Sequence, residues 1–367
     1  MPDPRVVKLA QIMVDYSLEL KPGQQVWLRT APVAQEFNLA FYEQAVKAGT
    51  HVLIDQAIPG AEEVYYKYAS NQQLDFIAPH RKLVAETFDA SLRVWSDENT
   101  RSLAGVDPKR IARYNKAWAE IFNGMMKRSA AGLYRWCVTV HPTPAMAQDA
   151  NMSLADYADF VYEAGMLHEA DPLAFWRAEG KKQEEIITWL RGRKQVVLKG
   201  SNIDLKLSID GRTFEKSDGL NNFPDGEIFT SPVDDSAQGC VRFKYPGIYA
   251  GQEVEDIELS FEGGKVVKEK ASRNQQLLTS LLNTDDGARR LGEWGIGTNY
   301  GITRFSRNML FDEKIGGTVH FAVGQAFPEC GGKNVSGVHW DMLCDMADSE
   351  IEIDGDLFYK NGRFVLA

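Results

Sequence analysis

Cysteine is scarce in this chain, with four in 367 residues, at positions 137, 240, 330 and 344. Spacing so irregular excludes a disulfide framework or a zinc knuckle, and the expectation is buried free thiols. Long apolar runs are also missing: nowhere do about eighteen apolar residues follow one another, so no membrane-spanning helix and no membrane partner are expected. The first twenty residues, MPDPRVVKLAQIMVDYSLEL, lack the basic-then-apolar order of a secretory signal and are patterned as a charged helix. A soluble cytoplasmic protein is expected. Basic charge is in deficit, with 41 Lys and Arg against 51 Asp and Glu and a formal charge of −10. No window holds the local excess of Lys and Arg that would track phosphates, which argues against a nucleic acid partner. Internal repeats and low-complexity segments are absent too.

What remains is a globular composition, 44% hydrophobic and 25% charged, on a chain long enough for two cores. Residues 4 to 20 carry apolar positions at helical spacing and are stopped by Lys21-Pro22-Gly23 before the strand-like QQVWLRT. The same rhythm continues with EFNLAFYEQAVKAGT as a helix, HVLIDQAI as a buried strand, and EEVYYKYAS and NQQLDFIAPHRKLVAET as helices. ASLRVWSDEN then reads as a strand, DPKRIARYNKAWAEIFNGMMKRSAAG as a long helix and LYRWCVTVHP as another strand. Strands alternating with amphipathic helices predict an α/β domain with a mostly parallel sheet over residues 1–194, its last two helices connecting the halves of the chain. From Gln195 the pattern changes to short strands, interrupted by one helix near NQQLLTSLLNTDDGARR and ending in hairpins with Asp-Gly and Asn-Gly turns. Residues 195–367 are expected to form a mainly antiparallel β domain, α+β in class, and to carry the chemistry.

Five residues in this second half have the character of metal ligands: Glu227, Glu293, His320, His339 and Asp341. On a strand, His339 and Asp341 point to one face while Trp340 packs behind them, although a His-X-Asp triplet alone also fits a hydrogen-bonded surface pair. His320, in GGTVHFAVGQ, lies opposite in sense to Val319 and Phe321, as a core histidine or a ligand would. Glu293, in LGEWGIGTN, is bracketed by glycines that allow close approach, which suits either a capping group or a ligand. In NNFPDGEIFTSP a Pro-Gly turn sets Glu227 at the start of a strand, a place that also suits an exposed turn acid. Together, two histidines and three carboxylates are the borderline nitrogen and hard oxygen donors that hold a pair of divalent ions. Asp234 and Asp235 read as a solvated turn. Cys330 and Cys344 read as packing residues, and His51, His80, His141 and His168 show no partner spacing.

FPDGEIFTSP, LGEWGIGTN, KIGGTVHFAVGQAFPE and VHWDML, in that order, resemble the signatures of the M29 family of metallo-aminopeptidases, and RVWSDENTRSLAGVDPKRIA and HPTPAMAQDANMSLADYADFVYEAG extend the likeness into the first half. The resemblance implies an exopeptidase that removes N-terminal residues from peptides with a water activated between two divalent ions, zinc, cobalt or manganese, commonly as a homodimer. Carried over motif by motif, its metal-binding residues fall on Glu227, Glu293, His320, His339 and Asp341. Glu293 is the expected bridging ligand, and either acid could shuttle protons. The family's tyrosine seven residues after the first histidine corresponds here to Phe327, which can neither hydrogen-bond a tetrahedral intermediate nor reach a metal. Asn299, Tyr300 and Lys333 are neighbouring donors that could stand in for it.

Two other readings compete. The 2,5-dihydroxypyridine dioxygenases resemble this family but keep a two-His, one-Asp set suited to a single non-haem Fe(II). In that branch a histidine replaces the acid corresponding to Glu293 and the acid corresponding to Glu227 is lost, whereas this chain keeps both. The other reading is a metal-binding homologue that lost efficient turnover with Phe327.

Overall fold

Two hydrophobic periodicities build two compact units, Met1–Leu173 with Gly219–Pro224, and Ala174–Asp218 with Asp225–Ala367. The computed structural model describes residues 3–249 and 251–365. Packing divides the chain at 173/174, one helix before the composition-based boundary at 194/195. The Pro172–Leu190 helix contributes Ile187 and Leu190 to the β core of the second unit, while Asn222–Phe223 pairs with the last parallel strand of the first. Among the described residues no helix is long and apolar enough to cross a membrane.

In the first unit Gln25–Thr30, His51–Gln56, Ala90–Trp95 and Arg135–Val140 form a parallel sheet in the order 51–56, 25–30, 90–95, 135–140, with 222–223 beyond. The long helix is Pro108–Ala130, and the stretch expected as one helix from residue 71 is broken into Asn71–Leu74 and Pro79–Thr87. Pro79 explains the break, because its ring opens a helix but cannot continue one. His51–Gln56 is not a buried strand: it lies at the sheet edge and Leu53 and Ile54 are exposed. Cys240 corrects the expectation of buried thiols. It alternates with inward-facing Val241 on Gln238–Arg242 and is exposed, while Cys137, Cys330 and Cys344 are buried.

The second unit holds an eight-stranded and a five-stranded antiparallel arrangement that share one hydrophobic core. In the eight-stranded sheet the closing turns at Asp354-Gly355 and Asn361-Gly362 have positive φ at both positions, as tight hairpins require. The five-stranded sheet has the order His339–Asp345, Thr318–Gly324, Leu291–Gly297, Glu227–Thr230, Glu215–Ser217. One of its faces sends Ile228, Trp294, Ile296, Val319, Phe321, Val323, Trp340, Met342 and Cys344 into the core.

The opposite face carries the polar residues, with Phe229 and Leu343 beside them and a small residue across at least one ladder from each. Across the ladders Glu227 meets Gly297, His320 meets Gly295, Glu293 and Asp341 both meet Ala322, and His339 meets Gly324. Each polar side chain therefore has a cross-strand neighbour too short to crowd it. A register shift between Leu291 and Glu293 is what puts the acid on this face. Leu291 packs in the core, and two residues later a regular strand would point the same way; the bulge at Gly292 turns Glu293 to the other side. A Cβ on Gly292 would lie 2.2 Å from the carbonyl oxygen of Gln325 and 2.6 Å from that of Gly324. Both obstacles are backbone, so Gly292→Ala should destabilise the protein by about 1–3 kcal/mol. Urea unfolding of the single variant measures this, and an unchanged midpoint and slope would show that the bulge tolerates a side chain.

Candidate metal centre

The face of short cross-strand neighbours brings all five candidate ligands together in two overlapping groups. Glu227, Glu293 and His320 form one, and Glu293, His339 and Asp341 the other, with the donor atoms of each group within 4.8 Å of one another. Glu293 belongs to both. Its Oε1 lies 3.4 Å from His320 Nε2 and its Oε2 lies 3.1 Å from His339 Nε2. Glu227 Oε2 is 3.3 Å from His320 Nε2, and Asp341 Oδ2 is 3.6 Å from His339 Nε2.

Each position has a local cause. The imidazole of His320 fills the space over Gly295, where a Cβ would come within 2.1 Å of Nε2. Nδ1 of His339 lies 2.8 Å from the carbonyl oxygen of Gln325, which can only accept, so in the neutral ring Nδ1 carries the hydrogen and Nε2 presents its lone pair. His339 is the most open of the five, its side chain 30% exposed against 1% for His320, so the cluster meets solvent on the His339 side.

The charges are strongly coupled. Burial favours the neutral form of every group here, and it raises the pKa of Glu227 and lifts that of Asp341 to about 7. For the histidines burial acts downward, but hydrogen bonding to Glu293 and the surrounding carboxylates win, and both are pushed up to about 10. Glu293 shows the converse: burial would raise it, and its contacts with His320 and His339 bring it down to about 2.

The donors fit divalent ions. Glu227 Oε2 and Asp341 Oδ1 are buried without a hydrogen bond, a costly state for carboxylate oxygens unless a cation faces them. Hard oxygens with imidazole nitrogen suit zinc, cobalt or manganese. Cys330 and Cys344 lie outside both groups, as do Asp234 and Asp235. Phe327 sits beside the cluster, its ring centroid 5.1 Å from that of His339 and 5.2 Å from that of Phe229. Of the neighbouring donors, Asn299 donates to the carbonyl of Asp225 and Tyr300 to the carbonyl of Gly362, while Lys333 is exposed.

Sequence reasoning missed Lys314. Its side chain is fully buried, and Nζ donates to Glu227 Oε1 at 3.0 Å, pairs with Glu313 and lies 3.7 Å from Asp225 Oδ1. Burial works against its charge, yet Glu227, Glu313 and Asp225 hold its pKa well above the ordinary lysine value. With Oε1 held by Lys314, Glu227 turns Oε2 towards His320. Removing the ammonium would strand buried carboxylates, so Lys314→Met should cost about 3–5 kcal/mol at neutral pH. Chemical denaturation checks this, with Lys314→Arg expected to recover part of the loss.

The model of the family described as thermophilic metalloprotease (M29) matches residues 3–364. Aminopeptidase 2 of Geobacillus stearothermophilus is 29% identical, over 95% of this chain and 93% of its own. Aminopeptidase T of Thermus thermophilus is 27% identical, over 97% and 95%. The solved structure of wild-type AmpT from Thermus thermophilus superposes with a TM-score of 0.84 at 26% identity, covering 99% of both chains. A 2,5-dihydroxypyridine dioxygenase from Pseudomonas putida KT2440 has the same fold at a TM-score of 0.61 and 13% identity, over 99% of this chain and 97% of that one. With its α/β and antiparallel β units, and with a family match running nearly from end to end, the chain belongs to the M29 family of thermophilic metalloproteases.

Proposed function

We propose that this protein is a two-metal aminopeptidase acting on peptides. The observation that carries this reading is the position of Glu293, whose two carboxylate oxygens each face a different histidine. Glu227, Glu293 and His320 would hold one divalent ion, and Glu293, His339 and Asp341 the other, with Glu293 shared. The ions, when bound, would supply Lewis-acid polarisation of a peptide carbonyl and a lowered pKa for water. The protein's own part is to hold the donors still. His339 is oriented by its bond to the Gln325 carbonyl, and Glu227 by Lys314. Glu293 has an oxygen on each histidine and Glu227 has one oxygen on Lys314, so this reading gives both acids to ion binding rather than to proton transfer.

A mononuclear ring-cleaving oxygenase would need two histidines and one carboxylate, leaving Glu227 and Glu293 without a purpose in a buried cluster. Metal counting tests the choice. The protein should carry two divalent ions per chain by elemental analysis, and Glu293→Ala should lose at least one of them together with peptide hydrolysis. One ion per chain at saturation, or full occupancy and activity in Glu293→Ala, would overturn the assignment.

Phe327 makes a separate case. Its ring borders His339 but offers no hydroxyl to a developing oxyanion. If that donor limits turnover, Phe327→Tyr should raise kcat on a good peptide by about two to three orders of magnitude with little change in KM. Steady-state kinetics decide: an unchanged or lower kcat with a lower melting temperature would mean that the phenylalanine is a packing residue.

A further inference from the structure

In the first unit, two arginines on the parallel sheet make no hydrogen bond or ion pair among the described residues. Trp27 and Arg29 share one face of the Gln25–Thr30 strand, and Ser91, Arg93 and Trp95 share the same face of Ala90–Trp95, with Trp27 opposite Ser91 and Arg29 opposite Arg93. The Trp27 layer is sealed by Val84, Ala85, Met125 and Tyr134. Arg29 and Arg93 form the next layer, towards the carboxyl ends of the strands. The Arg29 guanidinium lies 4.7 Å from the Trp27 ring centroid, and that of Arg93 5.9 Å from the Trp95 ring centroid. Among the described residues neither guanidinium makes a hydrogen bond or an ion pair. Other arginines of this unit do: Arg128 donates to the carbonyls of Ala85 and Phe88 at 2.8 Å, and Arg113 pairs with Asp75.

A third cation, Arg81, comes from the Pro79–Thr87 helix and donates to the Tyr114 hydroxyl at 3.1 Å. Burial first, then the charges of Arg93 and Arg81, push the Arg29 pKa down against a smaller opposing pull from Asp55, so these like charges crowd one another. Two acids are near. Asp55 neighbours Arg29 in the sheet but accepts from the Trp27 indole at 3.2 Å, and Asp97 feels the charge of Arg93. Three guanidinium groups thus face two carboxylates, neither of which pairs with Arg29 or Arg93. The location has its own meaning. The chain leaves 25–30 for 51–56 on one side and then returns to add 90–95 on the other. Ligands of open α/β sheets gather outside the carboxyl ends of strands where the order reverses in this way. Guanidinium forks over aromatic rings match the oxygens of an oxyanion.

We propose that Arg29 and Arg93, assisted by Arg81, form an oxyanion-binding site at this reversal point, with a phosphate group as its class of ligand. The site lies within the first unit and does not depend on the metal reading. Titration calorimetry of the metal-loaded protein with inorganic phosphate at constant ionic strength tests it, with acetate as a second arm and Arg273→Gln, in the second unit, as a control. Phosphate binding should weaken at least about tenfold in Arg29→Gln and in Arg93→Gln, and stay unchanged in the control. Arg93→Gln alters an exposed side chain and keeps the test open should Arg29→Gln fail to fold. Phosphate held by the divalent ions would survive both substitutions, so equal affinity in native and variant proteins, or no binding at all, overturns the proposal. Acetate binding that depends on the arginines where phosphate binding does not would overturn phosphate as the ligand class.

Discussion

Concentrating carboxylates inside a protein is the constraint around which the second unit is arranged. Glu227 and Glu293 are buried in one group of donors and Glu293 shares a second with Asp341, a distribution that burial alone would neutralise by protonation. Several features answer that charge. Lys314, fully enclosed, neutralises Glu227 from behind together with Asp225 and Glu313. His320 and His339 take one oxygen each of Glu293. Glycine and alanine across the ladders leave room in front, and the bulge at Gly292 delivers the central acid without taking Leu291 or Trp294 out of the core. Buried ion clusters rarely stabilise a fold better than apolar packing would. Their retention here is easier to understand as the cost of a site ready to receive cations.

Much of this was readable because alternation on a strand and the close approach allowed by glycine leave marks in sequence. His339-Trp340-Asp341 placed two donors on one face, and Gly292 and Gly295 around Glu293 announced tight contact, which proves to be with the Gln325 carbonyl and the His320 ring. Lys314 left no such mark. In Asp312-Glu313-Lys314 it reads as part of a solvated charge run, and only the fold brings it to Glu227, 87 residues earlier in the chain. The edge position of His51–Gln56 was hidden for a related reason: an apolar run looks alike at the centre and at the edge of a sheet, since strand order is not a local property. The return of Asn222–Phe223 to the first sheet is equally non-local, because a two-residue strand is too short for any periodicity.

The fold by itself leaves the chemistry open. The same architecture serves a dioxygenase at 13% identity and an AmpT at 26%. Function is set by the side chains a fold carries, and a scaffold of paired strands lets one face change without disturbing the core face behind it. In this chain the core face is aromatic and aliphatic, with Trp294, Phe321 and Trp340 on the three neighbouring strands that carry Glu293, His320, His339 and Asp341. A substitution on the polar face therefore changes charge and coordination while the apolar face continues to hold the register.

Phe327 lies just outside that scaffold, and the distinction matters. The candidate ligands stand on hydrogen-bonded strands, whereas Phe327 follows the end of Thr318–Gly324 and is fixed by its backbone N–H donating to Ser231 Oγ at 2.9 Å and by ring contacts with Phe229 and His339. The ring is apolar and carries no hydroxyl to donate. The candidate donors are thus placed by sheet register, and Phe327 by the loop that follows it. A substitution in that loop can change what borders His339 while the register that groups the acidic and histidine side chains stays intact.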